Sequence, residues 1–141
     1  MRALLDTNIV LDLLLKRDLF AQDAVSIWEA NRLGRFDGYV SAITPITVFY
    51  VARKSVSAEE AQRMVEDILK AFLVCAVDLS VLRMALTLPV KDYEDAVQVA
   101  GALMYRLDAI VTRDLADYAG ATLPVFPPPI SLSSCSPRNR A

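Results

Sequence analysis

Histidine is absent from this 141-residue chain. Its absence removes the commonest general base, the Ser-His-Asp and Cys-His triads, and imidazole metal ligation together. Any catalysis has to run on carboxylates, lysines, tyrosines or hydroxyls. Cysteine is almost as scarce: Cys75 lies in an apolar run and Cys135 near the end, without the spacing of a metal site or a disulfide framework. A reducing, cytoplasmic setting is the simplest expectation. A large excess of either charge is also missing. With a net charge of −2, the molecule has no long-range positive field to draw nucleic acid, which counts against tight, sequence-specific DNA binding. No stretch approaches the roughly 18 uninterrupted apolar residues of a membrane-spanning helix. The apolar start is interrupted by Asp6, Asn8 and Asp12 and lacks a basic region or small-residue cleavage site, so it reads as structure and not as a targeting signal. There are no internal repeats.

Apolar side chains, by contrast, make up 55% of the sequence, enough for one domain with a substantial core. The stretch that organises it is Arg2 to Asn8, where three apolar residues end abruptly in Asp6, Thr7 and Asn8. A helix-period apolar pattern follows at once (Ile9, Val10, Leu13, Leu14), which predicts strand, turn, helix. Asp6 then stands at the carboxyl end of a buried strand, the end of an open α/β sheet where ligands bind.

Further along, Asn8 to Leu15 and Phe20 to Leu33 read as helices, with Gly34 and Gly38 bracketing a break before a second strand at Tyr39 to Ala42. Pro45 suits the first turn of a helix that ends near Lys54. Ser57-Ala58-Glu59-Glu60 is a capping box opening a helix to about Lys70. Phe72 to Val77 predicts a third strand buried on both faces, Asp78 to Leu88 a short helix stopped by Pro89. Asp92 offers an N-cap to a long amphipathic helix carrying Ala96, Val97, Ala100, Leu103, Met104 and Leu107. Ala109 to Thr112 follows as a fourth strand and Leu123 to Phe126 as a fifth, at the edge. The alternation predicts a three-layer α/β/α sandwich on a mainly parallel sheet of about five strands. Residues 1–132 are expected to form the domain and residues 133–141, polar and without apolar period, a disordered tail.

The first and fourth strands each end in an acid, Asp6 and Asp114, and the helix between begins with Asp92, Glu94 and Asp95. If the two strands are neighbours, these carboxylates share one crevice, where they repel one another unless a cation neutralises them. Hard oxygen donors without His or Cys favour Mg²⁺ or Mn²⁺. Such an ion activates water and stabilises the charge of phosphodiester cleavage, so a metal-dependent nuclease or phosphatase leads on chemistry alone.

Four segments carry a resemblance to a known family: Leu5-Asp6-Thr7-Asn8, Val40-Ser41-Ala42-Ile43-Thr44, Asp92-Tyr93-Glu94-Asp95-Ala96, and Ile110-Val111-Thr112-Arg113-Asp114 with Asp117-Tyr118. In order and spacing the chain resembles the PIN-domain ribonucleases, including the VapC-like toxins of bacterial toxin-antitoxin pairs. The resemblance implies a Mg²⁺- or Mn²⁺-dependent endoribonuclease that leaves a 5′-phosphate and a 3′-hydroxyl. It implies that Asp6, Asp95 and Asp114 are the catalytic metal ligands, that Glu94 and Asp117 beside them ligate through water, and that Asn8 and Thr112 orient the carboxylates. It further implies a small antitoxin whose C-terminal segment covers the acidic crevice.

One departure stands out. Family members commonly carry an acid in the helix after the second strand, where this chain reads Thr44-Pro45-Ile46-Thr47-Val48. Glu94 is expected to supply the missing charge, so that Glu94→Gln depresses metal binding nearly as much as Asp95→Asn.

Plainer roles stand beside these. Acids at helix starts are often only caps, and Asp92 is best explained so. Glu94 and Asp117 are weighed equally as solvated surface. Arg113, beside the site, is the candidate for holding RNA phosphate, whereas Lys16, Arg17, Arg53, Lys54 and Lys91 read as ordinary solvated charges. Trp28 and Tyr50 read as core or interface and not as base-stacking platforms. The high apolar content, concentrated in the helices after the first two strands, suggests a homodimer through them. The alternative to an enzyme is a degenerate PIN domain that binds RNA or protein without cleaving, motivated by the absent acid near Thr47. A phosphatase is disfavoured because Asn8 stands where the usual second Asp would, and a phospho-receiver because its acid pair and late Lys do not stand out.

Overall fold

In the computed structural model, which describes residues 1–128, the opening apolar run becomes the middle strand of a sheet, β1 (Arg2–Leu5). Two helices, α1 (Thr7–Leu14) and α2 (Ala21–Arg32), lead to β2 (Asp37–Ser41). Next come α3 (Ile43–Ala52), α4 (Ala58–Ala71), β3 (Leu73–Cys75), α5 (Leu79–Thr87) and α6 (Tyr93–Met104). β4 (Ala109–Val111), a 3-10 turn (Leu115–Tyr118) and β5 (Val125–Phe126) complete the described chain. The expected tail, and the last four residues of the expected domain, lie outside the described residues.

The five strands are all parallel, in the order β3-β2-β1-β4-β5. The sheet is thus wholly and not just mainly parallel. From β1 the chain steps outward through β2 to β3, then returns to lay β4 on the other side of β1, pairing Leu4 with Ile110 and Leu5 with Val111. That reversal makes the β1/β4 boundary a topological switch point, where the loops leaving two neighbouring strands diverge and open a crevice.

Alternation along the strands divides the core in two. Ala3, Leu5, Val40, Ala109 and Val111 face α1 through α4, packing with Ile9, Ile27, Val48 and Ile68. Leu4, Tyr39 and Ile110 face the opposite way, against Val99 and Ala102 of α6. α5 closes over α6 through Val81 and Ala85 on Ala96, Val97 and Ala100. The result is the expected α/β/α sandwich.

Local chemistry sets several boundaries. Gly34, at φ +73°, takes the left-handed conformation just past α2. At Gly38 a Cβ would come within 2.8 Å of both Asn31 Oδ1 and the Phe72 ring, so the start of β2 requires glycine. Ser57 Oγ accepts from Glu60 N–H, the hydroxyl half of the capping box.

Two expectations need correction. β3 is not buried on both faces: it is an edge strand, and Leu73 and Val74 are exposed while Cys75 is buried. Nor is α6 an ordinary amphipathic helix. Its residues from Ala96 to Ala102 are all buried, because the sheet covers one side and α5 the other. Its small residues permit that double packing, and they carry one polar side chain, Gln98, into the interior.

Candidate acidic active site

Asp6 continues the β1 ladder by one residue, its N–H donating to Val111 O at 2.9 Å. It occupies the N-cap position of α1, yet its side chain makes no cap bond. The carboxylate turns instead across the switch point, where Thr112 Oγ1 donates to Oδ2 at 2.8 Å and Gln98 Nε2 to Oδ1 at 3.3 Å. Asp78 and Asp92 make the contrast plain, since both cap their helices through the side chain. Asp6 is only 3% exposed, and burial raises its pKa despite the bonds from Thr112, Gln98 and Tyr118, with the charge of Asp114 pushing the same way.

Gln98, 1% exposed, links this acid to the next. Its Oε1 accepts from the Thr7 N–H at 3.3 Å, and its Nε2 donates to Tyr118 O–H at 3.0 Å as well as to Asp6. Tyr118 donates in turn to Asp95 Oδ1 at 3.3 Å. Asp95 lies in the first turn of α6, half-buried; burial, then the charges of Asp6 and Asp92, push its carboxyl up to about 7. The Tyr118 phenol is raised too, by its burial and then by the charges of Asp6 and Asp95.

Asp114 is fixed from three directions. Asn8 Nδ2 donates to Oδ2 at 3.2 Å, the Asp114 N–H donates to Thr112 Oγ1 at 3.0 Å, and Arg113 approaches Oδ1 at 3.5 Å. Thr112 thereby joins Asp6 and Asp114, while Asn8 and Thr112 contact the acids they were expected to orient. Arg113 is committed mainly elsewhere: it donates to both oxygens of Asp12, at 2.9 and 3.4 Å, and its guanidinium lies 4.0 Å from the Phe20 ring centroid. That ion pair raises its pKa. Asp12, 2% exposed, also receives Arg17 at 3.4 Å.

Glu94 and Asp117 are exposed. Glu94 Oε1 accepts from Thr47 Oγ1 at 3.3 Å, so its carboxylate reaches the position where the expected acid is missing. Asp117 is near enough for its charge to raise the Asp95 pKa. The acids therefore feel one another. Even so, among the described residues no three side chains converge closely enough to form a ready metal cage. Asp6 and Asp95 are joined through Gln98 and Tyr118, and Asp114 is partly neutralised by Arg113.

Gln98, Tyr118 and Asp12 gave no comparable signal in the sequence. Gln98 sits inside an apolar helical period, and Asp12 registers there only as a break in the N-terminal apolar run. Tyr118 is visible only as a motif neighbour of Asp117. Tyr50, read as core or interface, is 69% exposed on α3, whereas Trp28 packs edge-on against Phe72 with ring centroids 4.7 Å apart.

An all-parallel, doubly wound sheet with buried and half-buried carboxylates at its switch point defines an α/β protein of the acidic-crevice kind. Residues 2–116 match the PIN domain, and the chain belongs to that family. No curated protein sequence matches it. Among solved structures, a toxin-antitoxin complex from Klebsiella pneumoniae is similar at 26% identity and a TM-score of 0.63, over 85% of this chain and 92% of that one. VapBC2 from Rickettsia felis, bound to a DNA fragment from its promoter, shares the fold at a TM-score of 0.72 and 15% identity, over 91% and 99% of the two chains. VapC20 of Mycobacterium tuberculosis, a sarcin-ricin loop cleaving toxin, does so at 0.63 and 13%, over 77% and 86%.

Proposed function

We propose that the chain is a Mg²⁺- or Mn²⁺-dependent endoribonuclease, the VapC-like toxin of a toxin-antitoxin pair. The observation that carries this reading is the turning of Asp6 away from its cap position into a crevice where Asp95 and Asp114 share its field. Family membership supports a nuclease, and the sarcin-ricin loop cleaving neighbour supports RNA as the substrate.

The donor set fits a hard divalent cation. All its side chains offer oxygen, and burial first, then the neighbouring carboxylates, raise the Asp6 and Asp95 carboxyls, a cost that a cation in the crevice would offset. Asp6, Asp95 and Asp114 would hold the ion, with Glu94 and Asp117 at its outer side. When bound, Mg²⁺ or Mn²⁺ supplies a hydrolytic nucleophile at neutral pH and offsets charge building on the phosphodiester. Thr112 and Asn8 keep Asp6 and Asp114 turned inward. Glu94, over Thr47, takes the part of the absent acid. Arg113, held against Asp12 and Phe20 and beside Asp114, is the group that would meet a backbone phosphate.

A small antitoxin covering the crevice is proposed from the toxin-antitoxin complexes among the similar structures. A homodimer would cover the apolar side chains that α2 and α3 leave exposed, Val25, Ile46 and Tyr50; a monomer in sedimentation at micromolar concentration would oppose it. No helix of the described residues is long and apolar enough to cross a membrane, and a cytoplasmic site of action is part of this reading.

The non-cleaving alternative has one observation in its favour, the guanidinium already beside Asp114. Cleavage of a mixed RNA pool with Mn²⁺ or Mg²⁺, against EDTA, decides between them. Metal-dependent cutting that is lost in both Asp6→Asn and Asp95→Asn is expected. No cutting together with no metal binding would favour the binding module.

A further inference from the structure

We infer that Gln98 is a positioning residue of the acidic site, holding Asp6 and Asp95 in one frame through the Tyr118 hydroxyl. This rests on the metal-site reading above. The amide has only one workable orientation. Its oxygen takes the N–H of Thr7 at the start of α1, and its nitrogen serves Asp6 and Tyr118. A flipped amide would set its oxygen against the Asp6 carboxylate and its N–H₂ against the Thr7 N–H, losing both of those bonds at a buried site and taking the Tyr118 proton away from Asp95. Gln98 cannot turn to solvent either, since its neighbours on α6 from Ala96 to Ala102 are enclosed.

That fixed direction passes to Tyr118. Because its oxygen accepts from Gln98, its proton is free to go to Asp95, at 3.3 Å. The phenol also lies within hydrogen-bonding influence of Asp6. Asp95 belongs to α6 and Asp6 to the end of β1, so the two acids have no covalent reason to keep a constant separation. The Gln98–Tyr118 pair gives them one. It touches neither substrate nor reacting atoms in this scheme and acts only through the carboxylates it orients.

The test is Mn²⁺ affinity by calorimetry on the full chain, with thermal unfolding in EDTA as a separate readout. Gln98→Met keeps the length and removes every bond; Tyr118→Phe removes the hydroxyl, and with it the bonds to Gln98 and Asp95, but leaves Gln98 bonded to Thr7 and Asp6. Each is expected to weaken Mn²⁺ binding by roughly tenfold, the scale of outer-shell effects at metal sites. The double variant should lose little more than the worse single variant, since either change breaks the same chain. Wild-type affinity in a folded Tyr118→Phe protein would overturn the inference, as would losses that simply multiply. Tyr118→Phe keeps the test decisive if Gln98→Met fails to fold. Asp6→Asn separates the two levels. If it abolishes Mn²⁺ binding while Tyr118→Phe leaves it unchanged, only the positioning role fails; if Asp6→Asn binds Mn²⁺ like wild type, the metal-site reading fails itself.

Discussion

The inner acids and the outer acids of the crevice are held in opposite ways. Asp6 and Asp114 have both carboxylate oxygens engaged, by Gln98, Thr112 and Asn8 from distant parts of the chain and by the adjacent Arg113, and Asp95 is tied to Asp6 through Tyr118 and Gln98. Glu94 has a single contact from Thr47 at 3.3 Å, and Asp117 is exposed. The bonds orient each inner acid at the cost of burying charge, without bringing three of them together into a metal cage among the described residues. The outer group is free to adjust at little cost. On the proposed metal-site reading the crevice would use both, oriented donors for geometry and exposed ones to complete the shell.

The largest break in this contrast is Asp6→Asn, which should reduce Mn²⁺ affinity and RNA cleavage by more than about 100-fold. A loss below tenfold would mean that Asp6 is not at the centre of the site. Asp12→Ala comes next. It strips Arg113 and Arg17 of their buried partner and should lower unfolding stability by about 2 kcal/mol, measured in urea. If Arg113 then collapses fully onto Asp114, Mn²⁺ binding should weaken as well.

Asp95 gives a test by pH. Its carboxyl sits near 7 in the folded protein against an ordinary 3.8. Folding therefore favours the protonated form. That stabilisation is complete below about pH 4 and is lost as pH rises through about 7. In EDTA, the wild-type protein should lose stability over that window, and Asp95→Asn should flatten the loss. The gain at pH 8 should be about 1 kcal/mol once solvent screening of this half-buried group is allowed for. An unchanged slope would show that the burial and neighbouring charges do not act on Asp95 as described.

Glu94→Gln sharpens the comparison with a smaller effect. The sequence suggested a loss close to that of Asp95→Asn; exposure and the lone Thr47 contact reduce the expectation to roughly threefold to tenfold in Mn²⁺ affinity. Adding Thr47→Glu to Glu94→Gln should restore binding, because the two side chains already meet. Asp117→Asn should change affinity by no more than about twofold, within the range of an exposed charge.

Much of the crevice was legible because the signals were local. An acid directly after an apolar strand, as at Asp6 and Asp114, is visible without knowing the fold, and the Asp92 cap marks the start of α6 and hence the place of Asp95. The supporting groups were not legible for a physical reason. Gln98 meets Asp6 across 92 residues and Arg113 meets Asp12 across 101, contacts set by sheet order and not by any short period. The same limit explains β3. Its apolar run suits a buried strand equally well, and only the order β3-β2-β1-β4-β5 puts it at an edge. The amphipathic period of α6 is misleading because small residues hide a second packing surface; Ala96 and Ala100 look like filler until α5 lies against them.

The most direct measurement is the anomalous scattering of Mn²⁺ soaked into crystals of the protein. A peak at the carboxyl ends of β1 and β4, within ligand distance of Asp6 and with Asp114 drawn away from Arg113, is the expected result. A peak elsewhere, or none at millimolar Mn²⁺, would contradict a metal centre built on the inner acids.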